Sequence, residues 1–583
     1  MQSKIENEQE LGSVEFPDSD LPLQRIYSSE RDRPGQAFLT QPRNSEVQSW
    51  TWAEAMHEVR RIARWLMDQN WPPGSRVVIL SKNCAWWIMA DVAIWISGHV
   101  SVPFFPSLRN ESLSSLFEHG EPVACFLGEL DQVPPFDAPA LRGMKFVGFP
   151  NAKPDHIPHD CEEWESIVHN GKPFDGQAVR AAEDIATIIY TSGTTGQPKG
   201  VMQSFRSLSL MGKSMEPVLG NSPYALDRIL SYLPLAHIAE RAIVEMNSLI
   251  MPLHIFFTEG QPTFLIDLQR SECTIFFSIP RLYLRLQQGV FEKVPERKLE
   301  RLLKIPILSR IVRSKILAGL GLQHARLVAS GGAAIPVELV HWYRKLGLNF
   351  VEGYGMTETG ITHVPLPSKF RAGFVGNASP YADTRISSDG EVQIKGPMNM
   401  LGYYKNPELT QQAFTKDGYF RTGDRGEIDE EGRLRIVGRL KEEFKTAKGK
   451  YVVPAPIEKL LSLSTMFEAV CVLGSGMPAP FSLAVLVPEL RRAAESPTRR
   501  EALETALKHE MDRVNSHLDQ HEQLRFMVVC QQPWTADNGL LTPTLKVRRT
   551  ALEQRFDRSF LAWEQAKTRV LWQDRIDLTG TTN

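Results

Sequence analysis

Apolar, β-branched runs that end in glycine-rich clusters recur in the middle of the chain. Residues 184–190, with the sequence DIATIIY, form such a run, and the cluster TSGTTGQPKG follows it. From Val201 onwards, leucine and methionine recur at helical spacing. This order predicts a strand that ends in a glycine loop, followed by a helix.

A second example lies around residue 340. The run at 326–330 stops at Gly331 and Gly332, and Pro336 stands where a first helical turn tolerates proline, before the segment VELVHWYRKLGL. The next run, NFVEGY, ends at Gly355. Strand, helix and strand at this spacing predict a parallel sheet, and such sheets bind ligands at the carboxyl ends of their strands.

The pattern changes from about Ala372, where short strands alternate with glycine and aspartate, as in GEVQIKG, GYFRTGD and GRLRIVGR. After Arg439, helical and strand patterns mix again over roughly 140 residues, a usual domain size. The predicted fold class is therefore α/β. We expect a flexible tail at 1–20, a large domain of layered α/β subdomains at 21–440 with a β-rich part at 372–440, and a small, mobile α+β domain at 441–583.

One span, residues 84–105, is apolar enough to resemble a membrane helix. Asp91, Gly98, His99 and Pro103 interrupt it, and an unpaired charge in hydrocarbon is costly. The pattern favours a buried helix that runs into a strand.

The amino-acid composition of the chain excludes several classes of function. Among 583 residues, 66 are basic and 68 acidic, which gives a net charge of −2, and nucleic acid is therefore not an expected partner. Six scattered cysteines without a CxxC pair fit a reducing cytoplasm rather than a disulfide framework or a zinc site. The first twenty residues are acidic, unlike the start of a signal peptide.

The cluster from Thr191 to Gly200 has the composition of a phosphate-binding loop. Its glycines free backbone N–H groups to approach phosphate oxygens, its hydroxyls add donors, and Lys199 adds a charge. It is not a Walker A loop, because Pro198 precedes the lysine and Gly200 follows it. Such a turn, taken alone, is also typical of a simple connection.

YTSGTTGQPKG resembles the phosphate loop of the adenylate-forming enzymes, which include acyl-CoA synthetases, luciferases and the adenylation domains of peptide synthetases. Five further segments occur in the order of that family: SYLPLAHIAER (231–241), SGGAAIP (330–336), EGYGMTET (352–359), FRTGDRGEIDEEGRLRIVGRLKE (420–442) and TPTLKVRR (542–549). The second segment is most similar to long-chain fatty acid:CoA ligases. The resemblance covers residues 190–549.

The resemblance implies a two-step reaction. A carboxylate attacks the α-phosphorus of Mg-ATP, which releases pyrophosphate and leaves an acyl-adenylate, and the thiol of coenzyme A then displaces AMP. Because charge builds up on phosphoryl oxygens, catalysis of the first step consists mainly of positioning and of cations and N–H donors. We therefore expect ATP, Mg²⁺ and coenzyme A as ligands.

The resemblance also assigns roles to residues by motif position. The β- and γ-phosphates would be held by Thr191, Ser192, Gly193, Thr194, Thr195, Gly196 and Lys199, and the base would be lined by Gly331, Gly332, Ala333, Glu352 and Gly353, with Tyr354 stacked on it beside Gly355. Thr357 would contact the α-phosphate, and Asp424 and Arg439 the ribose. Thr191 and Glu358 would lie near Mg²⁺, His237 near the substrate carboxylate, and Lys546 would stabilise the transition state.

Lys441 occupies the hinge position of the family, about which the small domain turns between the two steps. Long-chain members usually have an apolar pair and a Gly-Gly turn after the hinge, whereas this chain has three lysines near the single Gly449. Lys448, Gly449 and Lys450 would meet the phosphates of coenzyme A or another anionic carrier.

Residues 293–326 form a basic stretch with interleaved leucines and isoleucines. Its charged residues are Lys293, Arg297, Lys298, Arg301, Lys304, Arg310, Arg313, Lys315 and Arg326 against Glu296 and Glu300. Such a stretch is typical of a solvated face, but it also suits peripheral contact with an anionic membrane on its cytoplasmic side.

Three functions remain open at this point. The first is a long-chain fatty acid:CoA ligase, and the second an acyl-AMP ligase that serves a carrier protein or another nucleophile. The third is a non-catalytic scaffold that binds lipid or nucleotide. Singly, Glu358, Asp424, Lys546 and His237 are typical of turn or surface residues, and their joint order favours the enzymes.

Overall fold

Two sheets lie on either side of a layer of buried helices in the computed structural model of the chain, which describes residues 16–43, 46–192, 198–220, 222–542 and 545–573. The first sheet is parallel except for its last strand, Glu46–Thr51. Its strands, in spatial order, are Phe350–Glu352, Leu327–Ser330, Ile275–Ser278, Asp227–Ser231, Leu253–Phe257, Ala37–Arg43 and Glu46–Thr51.

The second sheet is parallel over six strands and antiparallel at one edge, where Ile185–Ser192, Pro198–Ser204 and Gly402–Tyr403 pair. Its strands, in spatial order, are Gly402–Tyr403, Pro198–Ser204, Ile185–Ser192, Val100–Phe104, Arg76–Leu80, Ala124–Leu127, Lys145–Gly148 and Glu162–Glu163.

The buried layer between the sheets contains helices with large apolar surfaces. Trp52–Asp68 begins with a capping box between Thr51 and Glu54. Ala85–Ile96 is apolar on all sides and wholly buried, as a helix between two sheets must be. The α-helices of the large domain are Pro22–Asp32, Trp52–Asp68, Ala85–Ile96, Asn110–Gly120, Trp164–Asn170, Phe205–Lys213, Glu216–Leu219, Ile238–Glu240, Asn247–Ile250, Phe264–Ser271, Pro280–Lys293, Glu296–Leu303, Pro306–Gly319, Val337–Lys345 and Pro407–Ala413, and a π-helix spans Arg241–Met246.

The β-rich part and the small domain have the predicted character. The first is an antiparallel sheet of Asp383–Ile386, Glu391–Lys395, Phe420–Ile428 and Leu434–Arg439, preceded by the strand pair Tyr354–Met356 and Gly360–His363. The second has the strand pair Phe444–Lys445 and Tyr451–Val452, a sheet of Phe467–Leu473, Phe481–Leu486, Met527–Val529 and Val570–Trp572, and helices Pro454–Leu461, Pro488–Ala493, Pro497–Asn515, Arg549–Phe556 and Phe560–Gln565.

The prediction of a helix from Val201 is wrong. Residues Pro198–Ser204 form a strand that pairs antiparallel with Ile185–Ser192, and the helix begins only at Phe205. Val201 and Met202 are held in this strand from its other side as well, by Tyr403 and Gly402. Pairing on both edges stabilises an extended conformation that local spacing did not indicate.

The end of the predicted tail belongs to the folded domain. A 3₁₀ turn spans Asp18–Asp20, and the buried Asp20 carboxylate pairs with Arg25 and Lys213. Ser209 also donates a hydrogen bond to the Asp20 carbonyl at 2.5 Å. Residues 1–15 lie outside the described part of the chain.

The apolar span 84–105 folds as predicted, as the buried helix Ala85–Ile96 followed by the strand Val100–Phe104. Within the described residues, no helix has both the length and the apolar character needed to cross a bilayer. The six cysteines are all free thiols.

Candidate functional site

Two parallel strands end side by side at the base of the site, with Ser330 and Glu352 in register. The N–H of Gly353 donates to the Ser330 carbonyl at 2.8 Å, and a side chain on Gly331 would come within 3.2 Å of the Gly353 carbonyl. Gly332 has a φ of +76°, which favours glycine. Burial raises the pKa of Glu352 to about 7. The predicted base-lining residues 331–333 and 352–353 thus adjoin one another.

Asp424 is the centre of a hydrogen-bonded cluster. Tyr354 donates its hydroxyl to Asp424 Oδ2 at 2.6 Å, and Arg439 Nε pairs with Oδ1 at 2.8 Å. Asp424 and Arg439 are register partners on neighbouring antiparallel strands, which brings their side chains together. Burial raises the pKa of Asp424, and the Arg439 charge opposes that rise. The carboxylate is therefore buried, paired and oriented by two donors.

Glu358 lies in the turn between the strands that begin at Tyr354 and Gly360. Tyr403 donates to Glu358 Oε1 at 3.0 Å, and Lys199 Nζ lies 5.5 Å from the centre of the Tyr403 ring. Burial raises the pKa of Glu358. The side chain of Gln203 donates to the Thr357 carbonyl at 2.6 Å and so ties this turn to the strand after the glycine loop.

Lys546 comes from the small domain and reaches the same cluster. Its backbone is held in a tight turn by Thr542, whose hydroxyl accepts from the Lys546 N–H at 3.0 Å. The Lys546 side chain is solvent-exposed, but the protein atoms around its ammonium desolvate it in part and so lower its pKa. The Arg439 charge lowers this pKa further, whereas Asp424, Glu358 and Glu442 oppose the shift. The ammonium therefore shares its electrostatic surroundings with side chains separated from it by more than one hundred residues.

His237 lies at the start of a short helix and is neutral at pH 7. Burial, and then the charge of Lys546, lower its pKa to about 4. Its Nδ1 accepts from the Ala239 N–H at 3.2 Å, so the proton belongs on Nε2. The ring can therefore donate one hydrogen bond to an anionic or carbonyl oxygen without adding charge.

The loop that carries His237 is fixed by the buried Glu240 and the half-buried Asn83. Ser231 and the backbone of Tyr232 donate to Glu240 at 2.9 and 3.1 Å. Asn83 accepts from the Leu235 N–H at 2.9 Å and donates to the Ser231 hydroxyl. Burial raises the pKa of Glu240 to about 8.

The hinge residue Lys441 lies in the exposed 3₁₀ turn Leu440–Glu442. Contacts between the two domains lie on both sides of this turn: Arg425 pairs with Glu443 at 2.9 Å and Arg281 with Glu468 at 3.1 Å. Together these two ion pairs hold the small domain in an orientation that places Lys546 near Asp424 and Glu358, in the cleft between the two domains.

Lys448, Gly449 and Lys450 form the exposed turn between the strands Phe444–Lys445 and Tyr451–Val452. Gly449 has a φ of +75°, which favours glycine in this turn. No hydrogen bond or ion pair among the described residues joins these lysines to the cleft, so the structure brings Lys546 to the site but not this turn.

The phosphate loop is described only at its two ends. Thr191 and Lys199 are register partners on the paired strands, and residues 193–197 lie outside the described part of the chain. Ser192 belongs to the first strand. The predicted ligands Gly193, Thr194, Thr195 and Gly196 lie outside the described residues.

Several residues of the site were missed by sequence reasoning. Tyr403 and Gln203 belong to none of the quoted motifs, and only strand pairing brings them in. Glu442 is the last residue of the quoted segment 420–442, which gave it no role, and the position of the small domain brings it near Lys546. Asn83 and Glu240 were missed for the same reason, although Glu240 lies within the predicted segment 231–241.

Replacement of Asp424 by asparagine tests the centre of the cluster. The change removes a charged acceptor, and hydrogen bonds to charged groups contribute about 1.5–3 kcal/mol, so we expect the KM for ATP to rise about 10- to 100-fold. Asp429→Asn is the matched control, because Asp429 pairs with Arg371 and Arg433 away from the cluster. An unchanged KM in Asp424→Asn would contradict the assignment.

Two family models match the chain. That of the AMP-binding enzymes matches residues 28–404, and that of the AMP-binding enzyme C-terminal domain matches residues 443–562. The chain is 30% identical to the long-chain-fatty-acid–CoA ligase FadD15 of Mycobacterium bovis over 91% of its own length and 95% of that protein. It is 28% identical to human long-chain-fatty-acid–CoA ligase 1 over 83% of its length and 77% of that protein.

Solved structures share the fold at lower identity. The adenylation domain of a carboxylate reductase from Mycobacterium chelonae has a TM-score of 0.78 at 18% identity, with 97% of both chains covered. ATP-bound MatB from Rhodopseudomonas palustris has a TM-score of 0.70 at 21% identity, with 92% of this chain and 99% of that chain covered. The layered α/β domain and the small carboxyl-terminal domain are thus one known architecture.

Proposed function

Because the chain belongs to the family of AMP-binding enzymes, we propose that it activates a long-chain fatty acid as an acyl-adenylate and transfers the acyl group to coenzyme A. An oxygen of the fatty acid carboxylate attacks the α-phosphorus of ATP, and the bond to the bridging oxygen of pyrophosphate breaks. The sulfur of coenzyme A then attacks the acyl carbon, which forms a thioester and releases AMP.

The proposal rests above all on the convergence of Lys546 with Asp424 and Glu358. Negative charge grows on the α-phosphoryl and pyrophosphate oxygens as the first step proceeds, and a preorganised cation stabilises that charge. Asp424 would bind the ribose hydroxyls and orient the nucleotide beneath Lys546. Both domains therefore contribute to a single reaction site.

Magnesium fits the residues of this site as a partner of the nucleotide. Among the described residues, no group of three or more His, Cys, Asp or Glu side chains could hold a metal ion by itself. Glu358 would supply one oxygen, with Thr191 nearby and ATP phosphates completing the octahedron that Mg²⁺ prefers. When bound, the ion would neutralise charge on the phosphates.

His237 would position the acid. Its neutral imidazole donates from Nε2, and the hydrogen-bonded network of Asn83 and Glu240 keeps its loop in place. The fatty acid as substrate is inferred from the long-chain ligases to which the chain is similar over most of its length.

The thiol step would require the small domain to turn about Lys441. The turn that carries Lys448, Gly449 and Lys450 is exposed and apart from the cleft, and rotation would replace Lys546 by this turn. Its two lysines suit the phosphates of coenzyme A.

The decisive experiment measures pyrophosphate release with free acids from acetate to oleate, with and without coenzyme A, together with acyl-CoA formation. We expect release to be greatest with long-chain acids and acyl-CoA to form only when coenzyme A is present. Acid-dependent release without acyl-CoA would instead indicate an acyl-AMP ligase. Absence of release with every acid would indicate a non-catalytic scaffold, and a preference for short acids would contradict the substrate class.

A further inference from the structure

Two helices of the large domain, Glu296–Leu303 and Pro306–Gly319, pack against each other and form what we call the basic helical hairpin. Leu299 and Ser309 are buried on its inner side. The outer side of Pro306–Gly319 carries Ile307 and Ile311, one helical turn apart, and they are 78% and 48% exposed. Large aliphatic side chains are thus exposed on the outer side of the hairpin.

Further exposed apolar residues extend this patch. Ile305, in the connection between the helices, is 48% exposed, and Leu308 is exposed as well. These four residues fall within seven consecutive positions and are contiguous along the hairpin. Scattered exposed apolar side chains are common, but a contiguous group of large ones is typical of an interaction surface.

Basic side chains surround the patch. Between residues 293 and 315 the chain has eight basic and two acidic residues, a net excess of six. All of the basic residues except the half-buried Arg313 are exposed. None of the eight forms an ion pair with any residue that the structure describes, so their charge is not neutralised within the protein.

Arg326, which the sequence pattern included in the basic stretch, does not belong to this surface. It points inwards and pairs with the buried Asp227 at 2.7 Å. The basic surface therefore ends with Lys315, and the predicted stretch 293–326 is too long at its carboxyl end.

We propose that the basic helical hairpin docks on the surface of an anionic lipid membrane, with Ile307 and Ile311 inserted among the acyl chains and Arg310 and Lys315 at the headgroups. Amphipathic helices with apolar and cationic side chains lie in such interfaces. A second copy of the chain would place the same excess of positive charge against itself. The net positive charge of the hairpin and the exposed apolar residues among its basic ones favour a deformable, negatively charged partner.

Binding to vesicles tests the proposal directly. The full chain is mixed with phosphatidylcholine vesicles, with or without 30% phosphatidylglycerol in roughly physiological salt, and bound protein is measured by flotation. No ATP or acid is added, so the result does not depend on the proposed function. We expect binding only to the anionic vesicles, weakened by high salt because ions screen the attraction.

Two pairs of substitutions separate the contribution of the apolar residues to vesicle binding from that of the basic residues. Ile307→Ser with Ile311→Ser removes the apolar anchor, and Arg310→Glu with Lys315→Glu reverses two charges; each pair is expected to weaken binding at least about tenfold. The matched controls are Val179→Ser with Leu561→Ser, two apolar residues exposed elsewhere, and Lys172→Glu with Lys416→Glu. Circular dichroism and pyrophosphate release with a soluble acid confirm that the variants are folded.

Three results would overturn the proposal. The first is absence of binding to anionic vesicles at low salt, and the second is an equal loss of binding in the control variants. The third is a concentration-dependent dimer in sedimentation that the Ile307→Ser and Ile311→Ser changes abolish while vesicle binding stays unchanged. The last result would assign the surface to a second copy of the chain.

Discussion

Replacement of Lys546 by alanine is expected to slow acyl-adenylate formation by about 10²–10³-fold, because the change removes a preorganised cation from the growing charge on the phosphoryl oxygens. Thioester formation from preformed acyl-adenylate and coenzyme A is expected to change little, since Lys546 acts before pyrophosphate leaves. Single-turnover assays of each half-reaction measure the two effects separately.

Lys508→Ala is the matched control, because Lys508 lies on the helix Pro497–Asn515 of the same domain. We expect it to leave both half-reactions unchanged. Equal slowing of both half-reactions by Lys546→Ala would contradict a role confined to adenylation and would indicate a defect in domain position.

The pH dependence of the first half-reaction gives an independent test of Lys546. Partial desolvation lowers the pKa of Lys546, and the proposed role requires its protonated form, so kcat/KM should fall as pH rises, at a lower pH than for an ordinary lysine. Lys546→Arg should remove this alkaline decline, because guanidinium stays protonated. An alkaline decline that persists unchanged in the arginine variant would belong to another group.

Replacement of Arg241 by leucine is expected to destabilise the large domain by about 3–5 kcal/mol, the usual result when one partner of a buried ion pair is removed. Arg241 is completely buried and pairs with Asp91 and with Glu245, the latter at 3.1 Å. It also donates to the Thr187 hydroxyl at 2.7 Å, and the ring of Trp87 lies 5.4 Å away. Urea and thermal unfolding measure the loss.

One guanidinium here faces two carboxyl groups. Burial raises the pKa of both Asp91 and Glu245, and the Asp91 charge raises that of Glu245 further. Asp91 Oδ1 and Glu245 Oε1 are both buried without a hydrogen-bond partner among the described residues. Removal of Arg241 therefore leaves two buried carboxyl groups without the cation that compensates them.

Two controls accompany this prediction. Arg31→Leu removes an arginine whose pair with Asp32 is exposed, and we expect no measurable change in unfolding. Replacement of Arg241, Asp91 and Glu245 together by Met, Leu and Met should recover most of the stability, because apolar groups of similar volume can replace a buried ionic cluster. Equal destabilisation by the triple variant would show that packing volume, rather than uncompensated charge, causes the loss.

The segment around the glycine loop shows which elements of secondary structure the local sequence pattern predicts and which it does not. The apolar run at 184–190 correctly predicted a strand, whereas Gly193 and Gly196 after it lie outside the described residues. The segment after the loop was predicted as a helix, yet it pairs with Ile185–Ser192 on one side and with Gly402–Tyr403 on the other. The second partner is about two hundred residues away, and no short-range spacing contains that information.

The residues of the candidate site also fall into those that sequence motifs indicated and those that only distant strand pairing brings in. The resemblance assigned Tyr354, Asp424 and Arg439 to one nucleotide site, and in the structure Tyr354 and Arg439 both bond to the Asp424 carboxylate. Tyr403, which holds Glu358, lies outside every motif and enters only because its strand extends the second sheet.

By itself, the sequence predicted the parallel sheet and the change to a β-rich and then an α+β region, because these depend on local periodicity. The residues assigned to a nucleotide came from the resemblance to a known family. Only the tertiary structure decided which side chains share one environment. Asp91 and Arg241 meet within a layer between two sheets, Lys546 reaches Asp424 through the orientation of a second domain, and Arg326 turns inwards to Asp227. Such contacts depend on long-range packing and burial, which alter the free energy of a charge far more than its neighbours in the chain do.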